Sequence, residues 1–196
     1  MRFAMVNYGV GNLFSLSAAL HREGVQTFLA KRSGELRDAD AVVLPGVGGF
    51  RAAARELPRE ELRDLVRSGK LTVGICLGMQ LFLERSEEGP GRGLGLIPGS
   101  VKRLPSKVKV PHMGWNTLRV KQDTELTEGL PEESWVYYAH SYHPDTKGKW
   151  VLATTRYGVE YPGIIGQKNI VGTQFHPEKS GPVGRQVLRN IQRMAR

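Results

Sequence analysis

The sequence holds a single cysteine, Cys76, among 196 residues. One cysteine excludes an intramolecular disulfide framework and any zinc site built from several thiolates. A reducing, cytoplasmic setting is the expectation. Long hydrophobic runs are missing as well. None approaches the ~18 apolar residues of a membrane span. The opening MRFAMVNYGVGN lacks the apolar stretch and cleavage site of a secretory signal, so no leader is expected there. Internal repeats and low-complexity segments are absent. Acidic residues are scarce relative to basic ones, 19 against 28, for a net charge of +9. Such a balance suits nucleic acid, an anionic membrane or an acidic protein partner. A nucleic-acid module would gather its cations in a stripe with interleaved aromatics. Here Lys and Arg are dispersed with acids between them, which favours background basicity that helps to dock an acidic partner.

The length suits one domain spanning 1–196, large enough to bury a core without staples. RFAMVN (2–7), VQTFLA (25–30), AVVL (41–44) and LTVGI (71–75) read as strands. Helices are expected around Leu13, Leu16 and Leu20, from Pro58 to Gly69, and over LGMQLFLER (77–85). This alternation predicts an α/β fold: an open, mostly parallel twisted sheet with helices on both faces. Residues 86–111 read as loops around one short strand. Five β-rich segments between 117 and 174 predict an antiparallel extension in the C-terminal half. A final amphipathic helix is expected from Pro182, with Val183, Val187, Ile191 and Met194 on one face.

Cys76 lies in GICLGMQ, between the strand 71–75 and the expected helix. A strand-to-helix turn holds a nucleophile above the carboxyl edge of the sheet, where open α/β folds take their substrates. Gly74 and Gly78 permit a tight turn there. A helix N-terminus favours thiolate, and the amide of Leu77 points where an oxyanion would form. The competing reading is a buried structural thiol, since free cysteine is among the most buried residue types. The choice turns on whether a base exists elsewhere. VGTQFHPEKS (171–180) offers one. Pro177 biases His176 toward extended geometry. In an extended chain Glu178 projects to the same side as His176 and orients it. Alone, HPE would read as a surface turn; two junction motifs shaped for chemistry, occurring together, favour nucleophile and base. A third glycine-rich junction, PGVGGF (45–50), sits at another strand end; it reads equally as a tight turn or as a loop whose amides around Val47 and Gly48 complete an oxyanion hole.

Together, GICLGMQ, QFHPE and LPGVGGF resemble the class I, triad-type glutamine amidotransferases over almost the whole chain. Within that family, NYGVGN (7–12), VPHMGWN (110–116) and YYAHSYH (137–143) are similar to the branch that serves as glutaminase subunit of imidazole glycerol phosphate synthase. The resemblance implies that Cys76 attacks the side-chain amide of glutamine, forming a glutamyl thioester and releasing ammonia. His176 and Glu178 would complete the triad. Val47, Gly48 and Leu77 would form the oxyanion hole, and Gly46, Gln80, Ser141 and Tyr142 would hold the substrate. It implies a heterodimer with a separate (β/α)₈-barrel cyclase that uses the ammonia in histidine biosynthesis. Asn12, Met113, Trp115, Asn116, Tyr137 and Lys179 are the expected docking residues, Trp115 and Met113 because such side chains enrich interface cores. No cofactor and no metal are expected. His140 and His143 lack the accompanying ligands of a zinc site; His140 reads as a structural residue of the substrate loop. His112 is placed at the interface and His21 in solvent. Arg51, Arg55, Arg59, Arg63 and Arg67, interleaved with acids, read as a salt-bridged solvent face. Amidotransferases of pyridoxal phosphate, anthranilate or GMP synthesis would share the triad but not the YYAHSYH and PHMGWN segments. A cysteine peptidase would not explain Gln80.

Overall fold

A computed structural model describes residues 1–8, 13–32, 34–46 and 48–196. In chain order the elements are β1 (Arg2–Val6), α1 (Leu13–Arg22), β2 (Gln26–Ala30), β3 (Ala41–Leu44), α2 (Phe50–Glu56), α3 (Arg59–Arg67), β4 (Leu71–Ile75) and α4 (Leu77–Gln80). There follow β5 (Arg85–Ser86), β6 (Ser100–Arg103), β7 (His112–Val120), β8 (Glu133–His140), β9 (Tyr142–Asp145), β10 (Val151–Tyr157), β11 (Val159–Gln167), β12 (Ile170–Thr173) and α5 (Gly181–Met194). Nine strands form one sheet in the order β2-β1-β3-β4-β12-β11-β10-β7-β8. The half from β2 to β12 is parallel, and the half from β12 to β8 is antiparallel.

The parallel strands inside the sheet, β1, β3, β4 and β12, are buried on both faces, so their side chains alternate between two cores. From β1, Phe3 and Met5 join Leu16, Leu20, Leu188 and Ile191 of α1 and α5. Ala4 and Val6 join Leu62 and Leu65 of α3 on the other side. The carboxyl ends of β3, β4 and β12 therefore lie side by side, which brings the PGVGGF, GICLGMQ and QFHPE junctions to one edge.

Three local expectations change. The helix expected over 77–85 stops at Gln80. The carbonyls of Leu81, Phe82, Leu83 and Glu84 instead accept from the amides of Leu94, Leu96, Gly95 and Gly93. A tertiary backbone ladder takes the acceptors that a continuing helix would need. α2, which the strand–helix pattern left unassigned, is an alanine-rich helix with Phe50, Ala53 and Ala54 buried. The loose region around 86–111 supplies β5 and β6, which pair with β9 in a separate three-stranded sheet. The arginine face is only partly a salt-bridge array. Arg63 meets Glu60 at 2.9 Å and Arg67 meets Asp64 at 3.1 Å. Arg59, however, donates to the carbonyls of Ala54, Arg92 and Gly93, and Arg63 to that of Leu94, so both clamp the 92–94 loop.

Candidate active site

Cys76 caps α4 with φ 50° and ψ −105°, a strained backbone for a residue with a β-carbon. Neighbours that cannot yield hold it there. The Cys76 amide donates to Thr173 O of the adjoining strand end at 2.7 Å. A β-carbon on Gly46 would lie 2.1 Å from Ile75 O and 2.8 Å from Cys76 Cβ. One on Gly78 would lie 1.9 Å from Leu44 O. Both glycines are thus needed for close backbone approach. Beside them the Tyr8 hydroxyl donates to Pro45 O, tying the end of β1 to the glycine loop. Gly48, in the same loop, has φ 102°. Val47 and Asn12 lie outside the described residues, as does most of NYGVGN beyond Tyr8. Because α4 is only four residues long, its dipole is a small influence on the sulfur, less than the sequence pattern suggested.

His176 follows β12 in extended geometry, but Pro177–Lys179 then closes a 3₁₀ turn. Glu178 therefore reaches His176 through that turn and not along an extended strand; the proline that biases His176 also starts the turn. The His176 Nδ1 to Glu178 Oε1 distance is 2.9 Å, and both side chains are 7% exposed. Cys76 is the other group that acts on the His176 imidazole. Burial alone would lower the His176 pKa. The bonds to Cys76 and Glu178 outweigh it and lift the pKa to about 10. Ser180 locks the turn: its hydroxyl donates to His176 O at 2.7 Å and accepts from Tyr137 N at 2.9 Å. The His176 amide in turn donates to Tyr137 O at 2.9 Å.

Gln80, one turn beyond Cys76, is buried. Its Nε2 donates to Tyr142 O at 2.8 Å and to Gln174 Oε1 at 2.9 Å. Gln174 Nε2 then donates to Cys76 Sγ at 3.4 Å. Gln174 was missed by sequence reasoning, although a fully buried glutamine in the apolar strand end VGTQF is a signal of polar recruitment. Ser141 and Tyr142 stand half-buried at the start of β9, and Ser141 O accepts from Leu104 N at 3.0 Å.

The expected docking residues separate into two sets. Met113 and Trp115 are 66% and 52% exposed on the outer face of β7. Tyr137 pairs with Trp115 across the strands, ring edge to ring face at 6.1 Å, and Lys179 Nζ lies 5.6 Å over the Tyr137 ring. Asn116 departs from this set. Strand alternation turns it to the opposite face, where its Nδ2 donates to Arg156 O at 3.1 Å. His112 is likewise buried on that inner face rather than at an interface. Among the described residues no cluster of three or more His, Cys, Asp or Glu could hold a metal ion, and no helix is long and apolar enough to cross a membrane.

A family model described as glutamine amidotransferase class-I matches residues 5–194. The chain belongs to this family. As a class-I glutamine amidotransferase it is an enzyme of glutamine hydrolysis. Among its relatives, imidazole glycerol phosphate synthase subunit HisH of Archaeoglobus fulgidus is 45% identical over 191 residues, covering 96% of either chain. The protein of the same name from Bacillus cereus is 43% identical over 194 residues, covering 96% of this chain and 93% of that one. PurLQS from Thermotoga maritima shares the fold with a TM-score of 0.79 at 23% identity, over 98% of this chain and 97% of that one. A solved glutamine amidotransferase matches with a TM-score of 0.76 at 22% identity, over 98% of each.

Proposed function

We propose that this amidotransferase is the glutaminase subunit of imidazole glycerol phosphate synthase, acting as one domain over residues 1–196 in the cytoplasm. The observation that carries the reading is the buried His176–Glu178 pair, 2.9 Å apart, with the buried Cys76 acting on the same imidazole. The near full-length likeness to HisH subunits supports the branch.

In this mechanism Cys76 Sγ attacks the carboxamide carbon of glutamine, and the oxyanion is held by the amides of Leu77 and the 47–48 loop. The His176 imidazolium gives its proton to the departing nitrogen, so the C–N bond breaks and ammonia leaves. Water then attacks the thioester carbonyl while His176 takes one proton. Collapse of the second oxyanion frees glutamate and restores the imidazolium beside the sulfur. Glu178 keeps Nδ1–H fixed throughout, so Nε2 always faces the sulfur. Gly46, Gln80, Ser141 and Tyr142 hold the substrate. The partner is a (β/α)₈-barrel cyclase that consumes the ammonia, docked on the face carrying Met113, Trp115, Tyr137 and Lys179. No nucleic acid and no membrane take part, and no cofactor is required.

The test is glutamine-dependent synthesis with added cyclase. Glutamate and imidazole glycerol phosphate should form in equal amounts. Cyclase that gains no glutamine-dependent activity from this chain would overturn the reading.

A further inference from the structure

Behind the substrate loop, three polar rings that the mechanism does not use meet in the core. His112 of β7 and His140 of β8 are directly opposed across the strands, and Tyr161 of β11 reaches between them. His112 is clamped flat between Tyr157, at 3.9 Å, and Tyr138, at 4.9 Å between centroids. Stacking on both faces holds the ring in its plane.

The neighbours dictate where every proton sits. Asn116 is oriented at both ends: Oδ1 accepts from Thr117 N at 2.7 Å, and Nδ2 donates to Arg156 O at 3.1 Å. The second Nδ2 hydrogen then points at His112 Nε2, 3.4 Å away. That nitrogen must accept, so neutral His112 carries its hydrogen on Nδ1. At the far end His140 Nδ1 lies 2.8 Å from the Tyr142 carbonyl, which only accepts. His140 therefore also carries its hydrogen on Nδ1 and leaves Nε2 bare. His112 Nδ1 also lies 3.3 Å from His140 Nε2, so its hydrogen is shared between that nitrogen and the one hydroxyl beside them. Tyr161 Oη is 3.0 Å from His112 Nδ1 and 3.1 Å from His140 Nε2. It accepts from the first and donates to the second. Burial holds both imidazoles neutral, His112 with a pKa lowered to about 4 and His140 to about 3.

We propose that Asn116, His112, Tyr161 and His140 form a one-way hydrogen-bond relay that positions the Tyr142 carbonyl and, through it, Gln80 and the bound glutamine. This rests on the glutaminase reading above. The Tyr142 carbonyl is the junction: it accepts from His140 on one side and from Gln80 Nε2 on the other. Gln80 continues through Gln174 to the Cys76 sulfur. The relay starts on β7, whose outer face carries Met113 and Trp115, and ends at the wall of the substrate site. Tyr161 is thus a positioning residue, remote from the reacting atoms.

Tyr161→Phe removes the central hydroxyl and keeps the ring. In the complex with cyclase, KM for glutamine should rise about fivefold while kcat stays within about twofold, the effect of one lost neutral hydrogen bond on ground-state binding. Tyr138→Phe is the control. It removes an equally buried hydroxyl, bonded to Thr155 and outside the relay. It should lower thermal stability with no change in KM. Equal KM changes in the two variants, or an unchanged KM in Tyr161→Phe, would overturn the proposal. Side-chain ¹⁵N spectra of the full chain give a readout independent of activity: both His112 and His140 should be Nδ1–H tautomers. An Nε2–H form at either position would overturn the proton order. A wild-type chain that hydrolyses no glutamine would refute the glutaminase reading itself and leave the tautomer result standing.

Discussion

Replacing Glu178 with Gln isolates the role of one carboxylate with almost no change of shape. Glu178 Oε1 accepts from His176 Nδ1 at 2.9 Å, while Oε2 is buried without a hydrogen-bond partner among the described residues. A glutamine has two ways to fit, and both cost something. With its carbonyl on Nδ1, the NH₂ occupies the place of Oε2 and is buried without an acceptor, costing about 1–3 kcal/mol. With the NH₂ on Nδ1, His176 must shift its proton to Nε2 and present the wrong tautomer to the sulfur, as in the loss of roughly 10⁴ in kcat seen when a triad aspartate becomes asparagine. Either way the charge-assisted bond is lost, and the His176 pKa falls from about 10 because Glu178 is one of the groups that raise it. The expected outcome is a kcat reduced by roughly 10²- to 10⁴-fold, with KM for glutamine changed less than about threefold, since the one bond of Glu178 is to His176 and its role is orientation. Steady-state glutamate release with cyclase present measures both. A kcat within about threefold of wild type, or a loss confined to KM, would refute the orienting role.

Two further outcomes follow from packing and from charge. Gly78→Ala would set a β-carbon 1.9 Å from Leu44 O, so β3 and α4 must part. A loss of about 3 kcal/mol is expected, or a drop of roughly 6–12 °C in Tm, and thermal denaturation checks it. Acid should weaken the fold before carboxylates titrate. The unfolded chain protonates His112 and His140 near their ordinary value of 6.5, while the folded chain keeps them neutral down to about 4 and about 3. Stability therefore falls as pH drops from 6.5 toward 4, approaching about 1.4 kcal/mol per pH unit for each. His176 has the opposite sign: its contribution is complete below 6.5 and fades as pH rises toward 10. Urea midpoints between pH 5 and 10 test both slopes, and a flat profile from 6.5 to 5 would contradict the first.

Much of the site was legible because the three junction motifs end buried parallel strands, and strand order is what brings such ends together. The parallel half of the sheet and its two-sided helical cover followed from continuous apolar runs such as AVVL and LTVGI. What sequence patterns could not show was tertiary competition for backbone acceptors. Nothing in LGMQLFLER reveals that residues 93–97 will take the carbonyls of Leu81 to Glu84 and stop the helix. HPE departs from extended geometry for a related reason: Ser180, held by the amide of the distant Tyr137, closes Glu178 back through a 3₁₀ turn. Asn116 and His112 share the segment of Trp115, but the strand period turns both to the opposite face, where His112 is buried and Asn116 half-buried. Gln174 opens the QFHPE motif, yet only the fold sets it against the sulfur.

The central claim is that Cys76 is the nucleophile of a glutaminase that feeds a cyclase. Cys76→Ala, assayed with cyclase for glutamate and imidazole glycerol phosphate together, tests it most directly. Both products should vanish with glutamine as nitrogen donor, while the same complex supplied with ammonium still makes imidazole glycerol phosphate. Undiminished glutamate release by the variant would contradict the account.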